Sequence, residues 1–229
     1  MRNQKAINYI KKMVAIAIFA ALAYVVHFIH IPVGFLNLDF KDVIMAIGGM
    51  YFGPVAGLVL SVLVPVLEFP TSSTGIYGLI MNIISSATFV CVASVIYKFN
   101  KKLSGAIIGL SAAALATTAM MMLANLFVTP YYMGVTRADV VGLLPTLLLP
   151  FNGTKSVLNA ALTLCLYKPV TLALRKTGLG KAGVSVAVEA VEPAQRLKRS
   201  VLVWAIAGSI AVAALCVIFF VLGGKIAIN

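Results

Sequence analysis

Charged side chains in this sequence are confined to short islands, and the stretches between them are long and apolar. Residues 13–38, 43–67, 69–97, 103–136 and 200–224 contain no Lys, Arg, Asp or Glu. A helix needs about 20 such residues to cross the hydrocarbon core of a bilayer. The pattern therefore predicts an all-α polytopic membrane protein. Its expected segments run over about 10–30, 42–52, 55–69, 77–97, 104–128, 152–174 and 200–222.

The second and third segments come from one charge-free run, 43–67, with Gly53-Pro54 in its middle. Proline removes a helical N–H, and the residue before it is driven out of the helical region. The run is either one kinked span or two shorter segments joined by a tight turn. With one span, Lys98, Lys101 and Lys102 would face away from the N-terminal lysines; with a turn, both clusters share a side. The positive-inside rule favours the turn. A segment of 42–52 is too short to cross alone, at 1.5 Å per residue. Its end then needs protein or an aqueous cavity around it, which predicts a cavity near the loop 34–42.

Composition agrees with the pattern: 62% of residues are apolar, 10% are charged, and the mean hydropathy is +1.06. That excludes an ordinary water-soluble domain, which carries about 25% charge. The net charge of +12 has no basic stripe interleaved with aromatics, so no nucleic-acid partner is expected. Under the turn topology, 13 of the 18 basic residues fall on the cytoplasmic side. The N-terminus is expected to be cytoplasmic and the C-terminus extracellular. Residues 1–176 are read as a membrane domain, 177–199 as a charged cytoplasmic linker, and 200–229 as an additional span with a tail. Cys91, Cys165 and Cys216 lie in apolar runs and read as reduced packing residues.

Little in the chain suggests catalysis. Gly153-Thr154-Lys155-Ser156 lacks the earlier glycine and the preceding strand of a phosphate loop. His27 and His30 read as an interfacial pair, and no metal or cofactor is expected. More informative are polar residues at membrane depth on the outer side, because such groups are costly and face cavities, partners or substrate paths. They include Asn37, Asp39, Lys41, Glu68, Asn82, Asn125, Asn152, Lys155 and Asn159, with Phe69, Tyr77, Tyr131, Tyr132 and Phe151 at the same level. Lys155 and Asn159 share a helix face. Such a set is either an interfacial belt with helix–helix hydrogen bonds or a pocket for a planar molecule with a polar edge. A transporter site and an intramembrane enzyme site look alike at this level. In the first segment, Ala17 and Ala21 form a small-xxx-small face that permits close helix packing.

Several stretches together resemble the riboflavin-specific substrate-binding subunit (S-component) of energy-coupling factor (ECF) vitamin transporters. They are Phe35–Asp42, Tyr51–Gly57 and Leu67–Phe69, then Ser73–Gly75 with Gly78–Asn82. Asn125 with Thr129–Gly134, Leu148–Asn152, Lys155 and Asn159 follow. The likeness covers roughly residues 10–176. It implies a six-helix core in a bacterial cell membrane that binds riboflavin near the extracellular face. It also implies partnership with a transmembrane coupling subunit and two cytoplasmic ATPases, with no catalysis by this chain. By resemblance, Leu38, Asn125, Asn152 and Lys155 contact the vitamin, and Ala17 and Ala21 match the docking face. Glu68, Tyr131 and Asn159 are added from the cavity argument. The alternatives are an S-component for another vitamin and a small intramembrane enzyme. The extra span after residue 200 departs from the family pattern and is given no ligand role.

Overall fold

In the computed structural model, the described residues are 2–33, 36–176, 206–210, 212–214, 217 and 227–228. They form helices α1 (Arg2–His27), α2 (Lys41–Phe52), α3 (Pro54–Glu68), α4 (Gly75–Phe99), α5 (Leu103–Met133), α6 (Arg137–Leu143) and α7 (Leu149–Lys176). A small sheet adds β1 (Ile29–Val33), β2 (Leu36–Asp39) and β3 (Ala227–Ile228). Among the described residues, five helical segments are long and apolar enough to cross a membrane. The chain is a multi-pass, predominantly helical membrane protein. The expected linker 177–199 and most of the expected seventh span lie outside the described residues.

The chain breaks at Gly53-Pro54. Gly53 has φ +104°, a conformation that favours glycine, and Pro54 opens α3 where its missing N–H is harmless. The two short helices then fold back on each other. A Cβ built on Gly49 would stand 3.0 Å from the Gly57 Cα, and Lys41 meets Glu68 at the other end. So α2 and α3 are antiparallel, and α2 spans only part of the bundle.

This reversal sorts the ends. α1, α3 and α5 finish at the end of the bundle where α2, α4 and α7 begin. The turn at 100–102, with Lys101 and Lys102, and the end of α7 fall at the opposite end.

On α1, Ala15, Phe19 and Ala23 recur every four residues and are buried against α2 and α3. Val14, Ala17, Ile18 and Ala21 lie on the exposed face. α4 and α5 make the most extensive helix pair. Ala93, Ala106, Leu110 and Ala113 are fully buried, as expected where small residues let helices approach without a hydrophobic driving force in lipid. Buried hydroxyls satisfy themselves locally: Ser61 Oγ donates to the Gly57 carbonyl at 2.8 Å, and Thr163 Oγ1 to Asn159 O at 2.6 Å.

Three local expectations change. The loop 34–42 is largely an antiparallel hairpin, with His30 opposite Asp39 and Ile31 opposite Leu38, followed directly by α2. The first span ends at His27 rather than near residue 30. α5 continues through Pro130 to Met133, because proline near a helix end removes one hydrogen bond only. Gly134, with φ +66°, closes it by donating its N–H to Pro130 O.

Candidate functional site

The hairpin has two faces. Alternation along a strand sends successive side chains to opposite sides. Ile31, Val33 and Leu38 are buried in an apolar cluster with Phe151, Leu158 and Ala161 of α7. His30, Asn37 and Asp39 line a cavity of about 190 Å³. The hairpin is thus a wall whose back is core and whose front is a site.

Three helices supply most of the rest. α4 contributes Tyr77, Met81 and Asn82, and α5 contributes Met121, Asn125 and Tyr132. Phe151, Asn152 and Lys155 project from the first turns of α7. Tyr77 and Tyr132 meet edge to face, with centroids 6.5 Å apart. Asn125 donates one N–H to Met121 O at 2.7 Å, and its Oδ1 accepts from Thr129 Oγ1 at 2.7 Å. Asn152 donates to Leu148 O at 2.8 Å. Each amide has four hydrogen-bonding positions. The bonds described therefore hold both side chains in place and leave capacity for a ligand.

Behind this wall runs a chain of buried charges. Lys155 Nζ donates to Asp39 Oδ2 at 3.3 Å, and Lys41 Nζ stands 3.7 Å from the same oxygen. Lys41 also donates to Glu68 Oε2. His27 Nδ1 approaches Glu68 Oε1 at 3.5 Å, and the rings of His27 and His30 stack. Ser86 donates to Asp42 Oδ1 at 2.6 Å. Burial alone would raise the Asp39 carboxyl. The ammoniums of Lys155 and Lys41 outweigh it and bring the pKa to about 2. Asp39 is therefore an anion whose Oδ1 has no hydrogen-bond partner, an acceptor at the cavity wall.

The candidates read from sequence divide accordingly. Asn125, Asn152 and Lys155 line the cavity. Leu38 lies on the core face of the hairpin. Glu68 is buried in the charge chain, and Asn159 is buried with its Oδ1 unpartnered. Tyr131 is two-thirds exposed, and its neighbour Tyr132 lines the cavity instead. Sequence reasoning placed Asp39 among the outer polar residues, as an acidic residue at the edge of a long apolar run, but gave no site role to His27, His30 or the Thr71–Thr74 loop, all at the cavity. Among the described residues, no group of three or more His, Cys, Asp or Glu side chains could hold a metal ion.

The arrangement suits a flat, largely uncharged molecule with a polar edge. Its apolar parts would meet Tyr77, Met81, Met121 and Phe151, while Asn125, Asn152, Asp39 and Lys155 answer its donors and acceptors.

Residues 11–170 match the family model "ECF transporter, substrate-specific component". The riboflavin transporter RibU of Staphylococcus aureus (strain TCH60) is 30% identical over 176 residues, covering 72% of this chain and 93% of that protein. The riboflavin transporter FmnP of Bacillus subtilis (strain 168) is 25% identical over 131 residues, 54% of this chain and 69% of that one. A solved S component of a bacterial ECF transporter superposes with a TM-score of 0.63 at 29% identity, covering 72% of this chain and 98% of that chain. The chain belongs to the substrate-specific components of ECF transporters, membrane carriers that bind a substrate and perform no chemistry on it.

Proposed function

We propose that this chain binds riboflavin with high affinity and serves its uptake across the cytoplasmic membrane. The observation that carries the reading is the cavity where Asn125, Asn152 and Lys155 converge beside Tyr77, Tyr132 and Phe151. A relative named as a riboflavin transporter, matched over 93% of its length, supports it. The isoalloxazine ring packs on the aromatic and methionine side chains. Its carbonyl and nitrogen edge takes the amides and Lys155, and the ribityl hydroxyls take the remaining polar groups. Leaving any of these buried without a partner costs about 1–3 kcal/mol, which lets the site reject close analogues. Leu38, Glu68 and Asn159 act from behind the wall, and Tyr131 stands beside the mouth.

Transport then rests on a transmembrane coupling subunit and two cytoplasmic ATPases. Ala17 and Ala21, on the exposed face of α1, dock that module. The cavity end faces outward and the N-terminus inward. The lysines at 98–102 support this orientation by lying at the end opposite the cavity.

Quenching of flavin fluorescence by the purified protein tests the reading. Saturable quenching at submicromolar flavin is expected, and Lys155→Ala should weaken it by about tenfold to a hundredfold. Absence of quenching at micromolar flavin would sink the proposal. Bulky substitutions at Ala17 and Ala21 should abolish uptake and leave quenching intact.

A further inference from the structure

A cavity that takes an anion needs a surplus of positive charge at its wall, or free N–H and O–H donors gathered at one point. Among the described residues, Lys155 alone of the Lys and Arg side chains lines this cavity. Its ammonium donates to Asp39 Oδ2 at 3.3 Å. Lys41, behind the wall, stands 3.7 Å from the same oxygen and also meets Glu68. Asp42, next to Lys41, is buried as well. Three buried carboxyls (Asp39, Asp42 and Glu68) thus stand with two buried ammoniums (Lys41 and Lys155). Even with one carboxyl protonated, this side of the cavity carries no net positive charge. The Thr71–Thr74 loop ahead of α4 also lines the cavity, but it turns donors back on its own neighbourhood. Thr71 Oγ1 donates to Glu68 O at 3.0 Å, the Ser72 N–H to Phe69 O at 3.2 Å and the Thr74 N–H to Ser72 Oγ at 3.3 Å.

We infer that the cavity takes an uncharged ligand and excludes an anionic one, and that Asp39 is the residue that sets this choice. Asp39 acts in two ways. It occupies the Lys155 ammonium, which would otherwise answer a phosphate or a carboxylate. Its second oxygen, Oδ1, is buried without a hydrogen-bond partner, so the wall offers an acceptor where an anion needs a donor. A ligand N–H or O–H satisfies that oxygen. A phosphate oxygen brought there meets a like charge, and a buried charge without a partner is costly. The ligand named next rests on the riboflavin reading: the site takes the free vitamin and rejects its 5′-phosphate ester. The charge balance of the wall does not rest on that reading.

Fluorescence titrations of the purified full chain test this with riboflavin, its 5′-phosphate and its uncharged 5′-acetate, which adds bulk without charge. The phosphate should bind at least about tenfold more weakly than the acetate. Equal binding of the two would overturn exclusion by charge and leave the riboflavin reading standing. Asp39→Asn keeps the shape of the side chain and removes its charge. It should narrow the acetate-to-phosphate ratio by at least about tenfold, and an unchanged ratio would overturn the role of Asp39. If that variant fails to fold, Glu68→Gln removes a negative charge behind Lys41 and should narrow the ratio by about threefold; no change there would overturn charge balance as the cause. Melting in detergent with inorganic phosphate, against chloride at equal ionic strength, needs no flavin. The parent should gain nothing from phosphate, and Asp39→Asn should show a raised midpoint. Stabilisation of the parent by phosphate would overturn the exclusion. If the parent binds no flavin, the riboflavin reading fails, while the phosphate melts still decide whether Asp39 keeps anions out.

Discussion

The two ends of the helix bundle are built on opposite principles. At the cavity end, five ionisable side chains are buried together: Asp39, Lys41, Asp42, Glu68 and Lys155. At the other end the helices meet through small and apolar residues. Gly49 and Gly57 face each other, Val90 and Ser94 of α4 lie against both, and Ala93, Ala106 and Ala113 bring α4 onto α5. There the largest polar feature is the hydroxyl pair of Tyr97 and Tyr167, whose rings meet at 75°. Close packing stabilises a membrane bundle directly, through dispersion contacts. Buried ion pairs do so weakly, because desolvation offsets much of their attraction. One end holds the bundle together; the other holds polar groups in place for a ligand.

The sharpest way to break this contrast is Lys41→Met. It removes the ammonium shared by Glu68 and Asp39, leaving Glu68 without its lysine. Losing one member of a buried pair costs about 3–5 kcal/mol, so melting in detergent should fall steeply. Adding Glu68→Gln should recover at least half of that loss. If it adds to the damage instead, the charges are not acting as pairs.

At the packed end, Gly49→Val drives a side chain into Ser94, Val90 and the Gly57 backbone. Overpacking of this kind costs about 1–3 kcal/mol. Here the midpoint of unfolding should drop, while flavin affinity measured on the folded fraction stays unchanged. A selective loss of affinity would show that the two ends are coupled.

Asn125→Ala works the contrast from the site. Flavin affinity should fall by about tenfold to a hundredfold, with a smaller fall in thermal stability measured without ligand. Equal losses in both would make Asn125 a packing residue.

The smallest effect is expected from Ser94→Ala. The Ser94 hydroxyl is buried without a partner, so its removal should leave stability unchanged or raise it by up to about 1 kcal/mol. A loss would reveal a partner for that hydroxyl.

Particular residues show how far the sequence could be read. Gly53-Pro54 announced its turn because proline and glycine act on the backbone wherever they stand, and neighbouring packing cannot restore a missing N–H. Asn125, Asn152 and Lys155 were legible as polar exceptions in apolar runs, where such exceptions need a reason. The hairpin was not legible. Ile29–Val33 continues the apolar run of α1 and contains Pro32, and a short apolar run carries no period that separates strand from helix. His27 and His30 looked interfacial because nothing nearby in sequence pairs with them. Glu68, which approaches His27, is reached only when α3 folds back along α2.

By itself, then, the sequence determined the membrane as solvent, the approximate spans, the broken second helix and the family. Each follows from local hydropathy, backbone chemistry or motif, which do not depend on distant partners. Tertiary structure decided which polar groups form the site. Lys155 meets Asp39 across 116 residues and Lys41 meets Glu68 across 27, and no spacing rule reaches that far. It also decided that Ala227 and Ile228 pair with the edge of β1. A buried charge or an open strand edge requires a partner, and only the folded chain determines which one is within reach.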